Sequence, residues 1–346
     1  MRRVTPLLRR LVLAGFVGCL WAGSAVAQQS RWVVRSSATA DLWFHGLALA
    51  RFTGFGTQPL YRPAYPSEVR RVREAAGRTT TRLEREADGF REAFVADSAF
   101  EVLHFVPLYF VAADPEEMLD ALARVARDGR ESIGELPKQS RFGAVTVASV
   151  LATPQERAVL GRFVAALREE WAVYRTERGE AADRRAARLA TATRVWQDEV
   201  APTANAFLQR ERLDGGVIVA VPSLGAEGRF FAGDPGDRSD NIVAVALDAA
   251  DDGQAVAWLA LKELSFPATR EALAQARQLP ADRVAAERLT GSAAAQAGSL
   301  LLEGGPPAGV ARYRAALEHA GACRAPFDEC YPLSSPARTA LAARLR

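Results

Sequence analysis

The chain is poor in the residues that make metal centres and activated nucleophiles. Histidine occurs only at His45, His104 and His319. None has a second histidine or a cysteine at ligand spacing, which excludes the common zinc motifs. His45, in an aromatic segment, and His104, beside Phe105 and Pro107, read instead as packed, hydrogen-bonded side chains. Gly-x-Ser-x-Gly is absent, and Pro222-Ser223-Leu224-Gly225 only approaches it. The glycines between Thr53 and Pro59 lack the Gly-Lys-Ser/Thr of a phosphate loop. The aspartates between Asp234 and Asp240 lack the spacing and the closing glutamate of an EF-hand, so both stretches read as turns. Lysine is nearly missing, with Lys138 and Lys262 against 42 arginines. No internal repeat, low-complexity linker or later membrane-spanning run is visible.

What is present begins with an export signal. Arg2, Arg3, Arg9 and Arg10 precede the apolar run Leu11 to Ala22, and Ala25-Val26-Ala27 supplies small residues before Gln28. This three-part pattern predicts a signal peptide over 1–27 and a mature chain of 28–346 in the periplasm or outside the cell. The competing reading is a lipoprotein anchored at Cys19 of Phe16-Val17-Gly18-Cys19. Removing the leader leaves 40 basic against 41 acidic residues, so the overall charge of +3 belongs to the leader. No positive field remains to attract nucleic acid or anionic lipid. In an oxidising compartment Cys323 and Cys330 are expected to close a small loop as a disulfide, two free thiols being the alternative.

Alanine, arginine, leucine and glutamate dominate, which favours helix. Helices are expected from Ser37 to Phe52, through the charged stretch Pro66 to Ala96, from the Asp114-Pro115 cap, and from the capping box at Thr153 to about Val200. Two strong strands, Gly216 to Val221 and Asn241 to Leu247, flank a weaker one at Gly228 to Ala232. Helix then resumes at Gly253 to Ser265. The expected fold is a single, predominantly helical α+β unit. Its mainly helical half spans 28–212, and 213–346 holds a small antiparallel sheet, a buried helix and a helical C-terminal part.

The helix from Asp252 to Pro267 is apolar on most sides, as Val256, Trp258, Leu259, Leu261 and Phe266 show, which marks a buried central element. It also carries Lys262-Glu263, a charged pair that needs compensation if buried. One account places both charges in a last exposed turn before Pro267, the lysine complementing the helix C-terminus. The other is a resemblance: strands followed by a helix bearing Lys262-Glu263-Leu264-Ser265-Phe266 resemble the core of zincin metallopeptidases of the gluzincin type. There a His-Glu-x-x-His helix holds zinc. Glu263 matches the glutamate and is a relic of its general base; Lys262 and Phe266 stand where the histidines would be. Arg283 to Leu302 corresponds to the helix carrying a third, acidic ligand, with Glu287 near its start. An ammonium repels a dication and a benzyl group cannot coordinate one, so the resemblance implies no metal and no cofactor.

These observations point to an exported, soluble pseudoenzyme of undetermined activity that acts by binding. Its partner would be a small molecule or peptide, taken up beside Lys262 and Glu263. The alternative is a secreted hydrolase whose residues come together from distant segments. A structural envelope protein is a third reading, under which Lys262 and Glu263 would face solvent with no cleft beside them.

Overall fold

The structure, a computed structural model, describes residues 31–53, 59–78, 80–233, 240–248, 252–321 and 325–345. The leader with Cys19, the glycines of the 54–58 loop, most of the aspartate loop and Cys323 lie outside the described residues.

Strand β1 (Arg31–Arg35) opens the described chain, with Trp32 and Val34 turned inward and Arg31, Val33 and Arg35 outward. Trp32 anchors it: its indole Nε1 donates to the Leu213 carbonyl at 2.7 Å, and its ring meets Trp196 edge-on at 5.8 Å. Strands β2 (Gly215–Val221), β3 (Arg229–Phe231) and β4 (Ile242–Ala246) complete a sheet of order β1-β2-β4-β3. The expected antiparallel sheet is corrected here. The sheet is mixed: β1 and β4 run parallel to β2, and only β3 is antiparallel, paired with β4 at the edge. The physical reason lies in the strands themselves. All of β4 and most of β2 are buried, as strands covered on both faces are, and such strands suit parallel pairing. The half-exposed β3 is left at the edge.

The helices form where local chemistry starts them. Ser37 caps α1 (Ala38–Leu49) by accepting from the Ala40 amide. Helix α2 (Tyr65–Ala75) follows. Asp114 caps α3 (Pro115–Asp128), which has proline in its first turn. Thr153 and Glu156 form a capping box at the head of α4 (Pro154–Glu180). Helix α5 (Ala182–Val195) continues through a wider turn at Trp196–Val200 into Ala201–Arg210.

Helix α6 (Gln254–Gln275) is the axis of the C-terminal part, packed against β4, α5, α7 (Arg283–Leu302), α8 (Pro307–Ala320) and α9 (Ser335–Leu345). It starts on Gly253, whose φ of 103° is open to glycine and whose missing side chain lets the backbone meet Arg188 of α5. The predicted stop at Ser265 is overturned: the helix runs through Pro267 for two further turns. Proline lacks the amide that would bond the Glu263 carbonyl, a loss of about 3 kcal/mol in an isolated helix. Burial of Ala268, Thr269, Ala272 and Leu273 beyond it offsets that loss. Among the described residues no helix is long and apolar enough to cross a membrane.

Candidate functional site

Lys262 and Glu263 are buried, at 3% and 6% exposure, in the middle of α6. The account that put them in an exposed last turn is therefore overturned, because the helix does not end there. Lys262 Nζ donates to Glu263 Oε1 at 3.0 Å and to the Ala226 carbonyl at 3.1 Å. The same carboxylate oxygen accepts from the Gly228 amide at 2.9 Å. Gly228 permits this approach, since a Cβ there would collide with the Ala244 carbonyl and the Glu263 side chain. Burial works against the ammonium, but Glu263 and Glu227 outweigh it and hold the Lys262 pKa above its ordinary value. The lysine is thus held as an ammonium, bonded to the neighbouring carboxylate and fixed by backbone.

A cavity of about 270 Å³ opens beside the pair. Its walls bring together Lys262, Glu263 and Phe266 from α6, Glu287 and Gly291 from α7, and Glu227, Gly228, Arg229 and Phe230 leading into β3. The segment before α3 adds Glu101, His104 and Phe105. The four positions singled out by the metallopeptidase resemblance, 262, 263, 266 and 287, therefore line one space. Their chemistry does not fit a metal ion. Lys262 sits on the carboxylate, Phe266 offers no donor, and Glu287 is paired with Arg270 at 2.8 Å. Among the described residues no group of three or more histidine, cysteine, aspartate or glutamate side chains is placed to hold one.

Sequence reasoning missed Glu101, His104 and Arg229 as cavity residues. His104 is expected to be packed and hydrogen-bonded, and it is both. Its ring stacks on Phe52 at 4.4 Å and its Nδ1 meets the Tyr61 hydroxyl at 2.9 Å. Its Nε2 is buried without a hydrogen-bond partner among the described residues, and so is Nε of Arg229. Burial, reinforced by Arg229, pushes the His104 pKa well below the usual imidazole range, so the ring is neutral. Nothing local marks these residues; they come from segments more than a hundred positions apart.

The remaining sequence candidates lie elsewhere. Ser223 is buried, and its hydroxyl has no hydrogen-bond partner among the described residues, so no base is poised on it. His319 is exposed near Asp248, at 3.8 Å. His45 belongs to a buried polar network in the helical half. It donates from Nε2 to Glu170 Oε1 at 2.7 Å, meets Tyr65 at 2.8 Å through Nδ1, and stacks on Tyr174 at 4.1 Å. Arg73 and Thr81 also bond Glu170. This network ties α1, α2 and α4 together. The disulfide expected at Cys323 and Cys330 falls partly outside the described residues, and Cys330 alone is placed, at the end of a short helix. A larger, open groove of about 960 Å³ between α3 and α4 contains none of the candidates.

With this geometry in view, comparison with known proteins adds no relative: no family model, curated protein or solved structure matches the chain.

Proposed function

We propose that the protein is exported and acts by binding a small molecule, or one end of a peptide, in the cavity between β3 and helices α6 and α7, without catalysing a reaction there. The observation that carries this reading is the Lys262 ammonium seated on the Glu263 carboxylate, buried and bonded in addition to Ala226. Oε1 of that carboxylate is taken up by the ammonium and by the Gly228 amide and is not available to a water, and among the described residues no other base in the walls is poised on a nucleophile. What remains is a small space lined by charged and apolar side chains, just below the usual range of ligand-site volumes. A degenerate zincin-like core is our reading of its ancestry. It is supported by the convergence of residues 262, 263, 266 and 287 on one cavity beside an antiparallel edge strand.

The test is to incubate the purified protein with a fluorophosphonate probe and with peptide substrates, with and without added zinc. We expect neither labelling nor turnover. Metal-dependent cleavage, or covalent labelling of a serine, would replace this reading with that of a hydrolase assembled from distant residues.

A further inference from the structure

Three of the four cations in the cavity wall have close acidic partners. Lys262 is held by Glu263 at 3.0 Å and Arg270 by Glu287 at 2.8 Å, and Arg283 is bonded to Glu101. Arg229 differs. Its pair with Glu227 is the loosest, at 3.8 Å; its Nη1 donates to the Gly228 carbonyl at 2.8 Å, and its guanidinium lies over the Phe105 ring. Its Nε–H is buried with no acceptor among the described residues.

His104, 3% exposed, presents the second unmet group. Tyr61 decides what that group is. Its hydroxyl is buried and has no other hydrogen-bond acceptor among the described residues, so it donates to His104 Nδ1. In a neutral ring the proton then sits on Nε2, and this nitrogen is a donor. A buried donor left unpaired is costly, and both donors belong to residues that line one cavity, where an acceptor entering between them would satisfy them.

We infer that the cavity takes a ligand through its carboxylate group, which accepts hydrogen bonds from Arg229 Nε and His104 Nε2, with Tyr61 as the positioning residue that fixes the imidazole tautomer. The inference rests on the binding reading above and specifies its ligand class. A carboxylate suits the site because it is acceptor-only, and because the one loosely paired cation of the wall is there to meet it. An ammonium ligand does not suit it, since the wall carboxylates already serve cations. The volume matches a small acid or the last residue of a peptide.

The test uses the purified full chain and three probes: isobutyrate, N-acetyl-L-leucine and N-acetyl-L-leucinamide. Binding is followed by calorimetry and by imidazole proton–nitrogen correlation spectra. The expected spectrum of the free protein shows His104 neutral and protonated on Nε2. The acids should shift that nitrogen, and N-acetyl-L-leucine should bind at least about tenfold more tightly than its amide. Arg229→Met should remove this preference, and Arg229→Lys, which keeps the charge but not the Nε–H, should restore it only in part. Tighter binding of isobutyrate than of N-acetyl-L-leucine assigns the site to free small acids, and the reverse order assigns it to peptide C-termini. Equal binding of acid and amide, or unchanged acid binding in a folded Arg229→Met, overturns the carboxylate inference and leaves the binding reading standing. A His104 ring protonated on Nδ1 also overturns it. If neither His104 nor the Gly228 amide responds to any probe, both readings fall.

Discussion

Two buried ionic arrangements set the behaviour of individual residues. In the cavity wall, Lys262 and Glu263 answer for each other, so removing one alone should be worse than removing both. Lys262→Met is expected to destabilise by about 3 kcal/mol because it strands a buried carboxylate, whereas Lys262→Met with Glu263→Leu should recover most of that loss. Urea unfolding of the two variants measures the difference, and equal destabilisation would deny that the charges are coupled. In the helical half, Glu170 is the hub. Burial alone would raise its pKa, but hydrogen bonds and charge from His45 and Arg73 outweigh burial and bring it down to about 2. A carboxylate depressed in the fold contributes stability above its unfolded pKa of about 4.5, and that stability fades as pH falls towards 2. The amount is on the order of 3 kcal/mol. Asp41 opposes it, since its burial outweighs Arg185 and Arg178 and raises its pKa, so that acid favours the fold at that residue. The stability gap between wild type and Glu170→Gln should therefore be widest above pH 5 and shrink below pH 3. A gap independent of pH would contradict this role.

Among the elements, α6 and α7 pack closely because α7 presents small residues. Its buried stretch from Thr290 to Ser299 is built from alanine, glycine, serine, threonine and Gln296. Gly298 faces the Tyr313 hydroxyl of α8, which is buried and bonded to the Ala295 carbonyl at 2.9 Å. Tyr313 cannot yield without breaking that bond, so Gly298→Val should lower stability by about 1–3 kcal/mol. A thermal midpoint equal to wild type would refute the close packing of α7 on α8. Gly228→Ala acts at the site instead, pushing the strand away from Glu263 and Ala244. Several element boundaries were legible in the sequence because local chemistry sets them: Asp114 and Thr153 each cap the helix that follows. Strand β1 was not. It is five residues long, and its pairing partner lies about 180 positions away. The run of buried residues in β2 and β4 carries the signal of parallel pairing, although short strands linked by turns fit the antiparallel sheet expected from the sequence equally well. Pro267 misled for the opposite reason, since its local meaning is a stop and tertiary burial overrode it.

At the scale of the whole molecule, the helical half and the half that bears the site share one sheet. Strand β1 from the first pairs with β2 from the second, and α5 packs on α6. A fragment of residues 213–346 would expose the edge of β2 and lose the cover supplied by α5. It is expected to aggregate or stay unfolded, as circular dichroism and light scattering would show. The cavity depends on the same union. Lys262, Glu263, Phe266 and Glu287 could be proposed from a single stretch of sequence, whereas Glu101 and His104 reach the wall only when the halves assemble. That is why the pair at the centre of the site was legible and the wall residues from the helical half were not.

The account turns on Lys262 occupying the carboxylate that a metallopeptidase would keep open, and zinc binding tests this most directly. The purified protein, dialysed to equilibrium against excess zinc and assayed for bound metal beside Glu263→Gln, should hold no zinc attributable to α6, so the two should give the same metal content. One equivalent of zinc in the wild type that is lost in Glu263→Gln would contradict it.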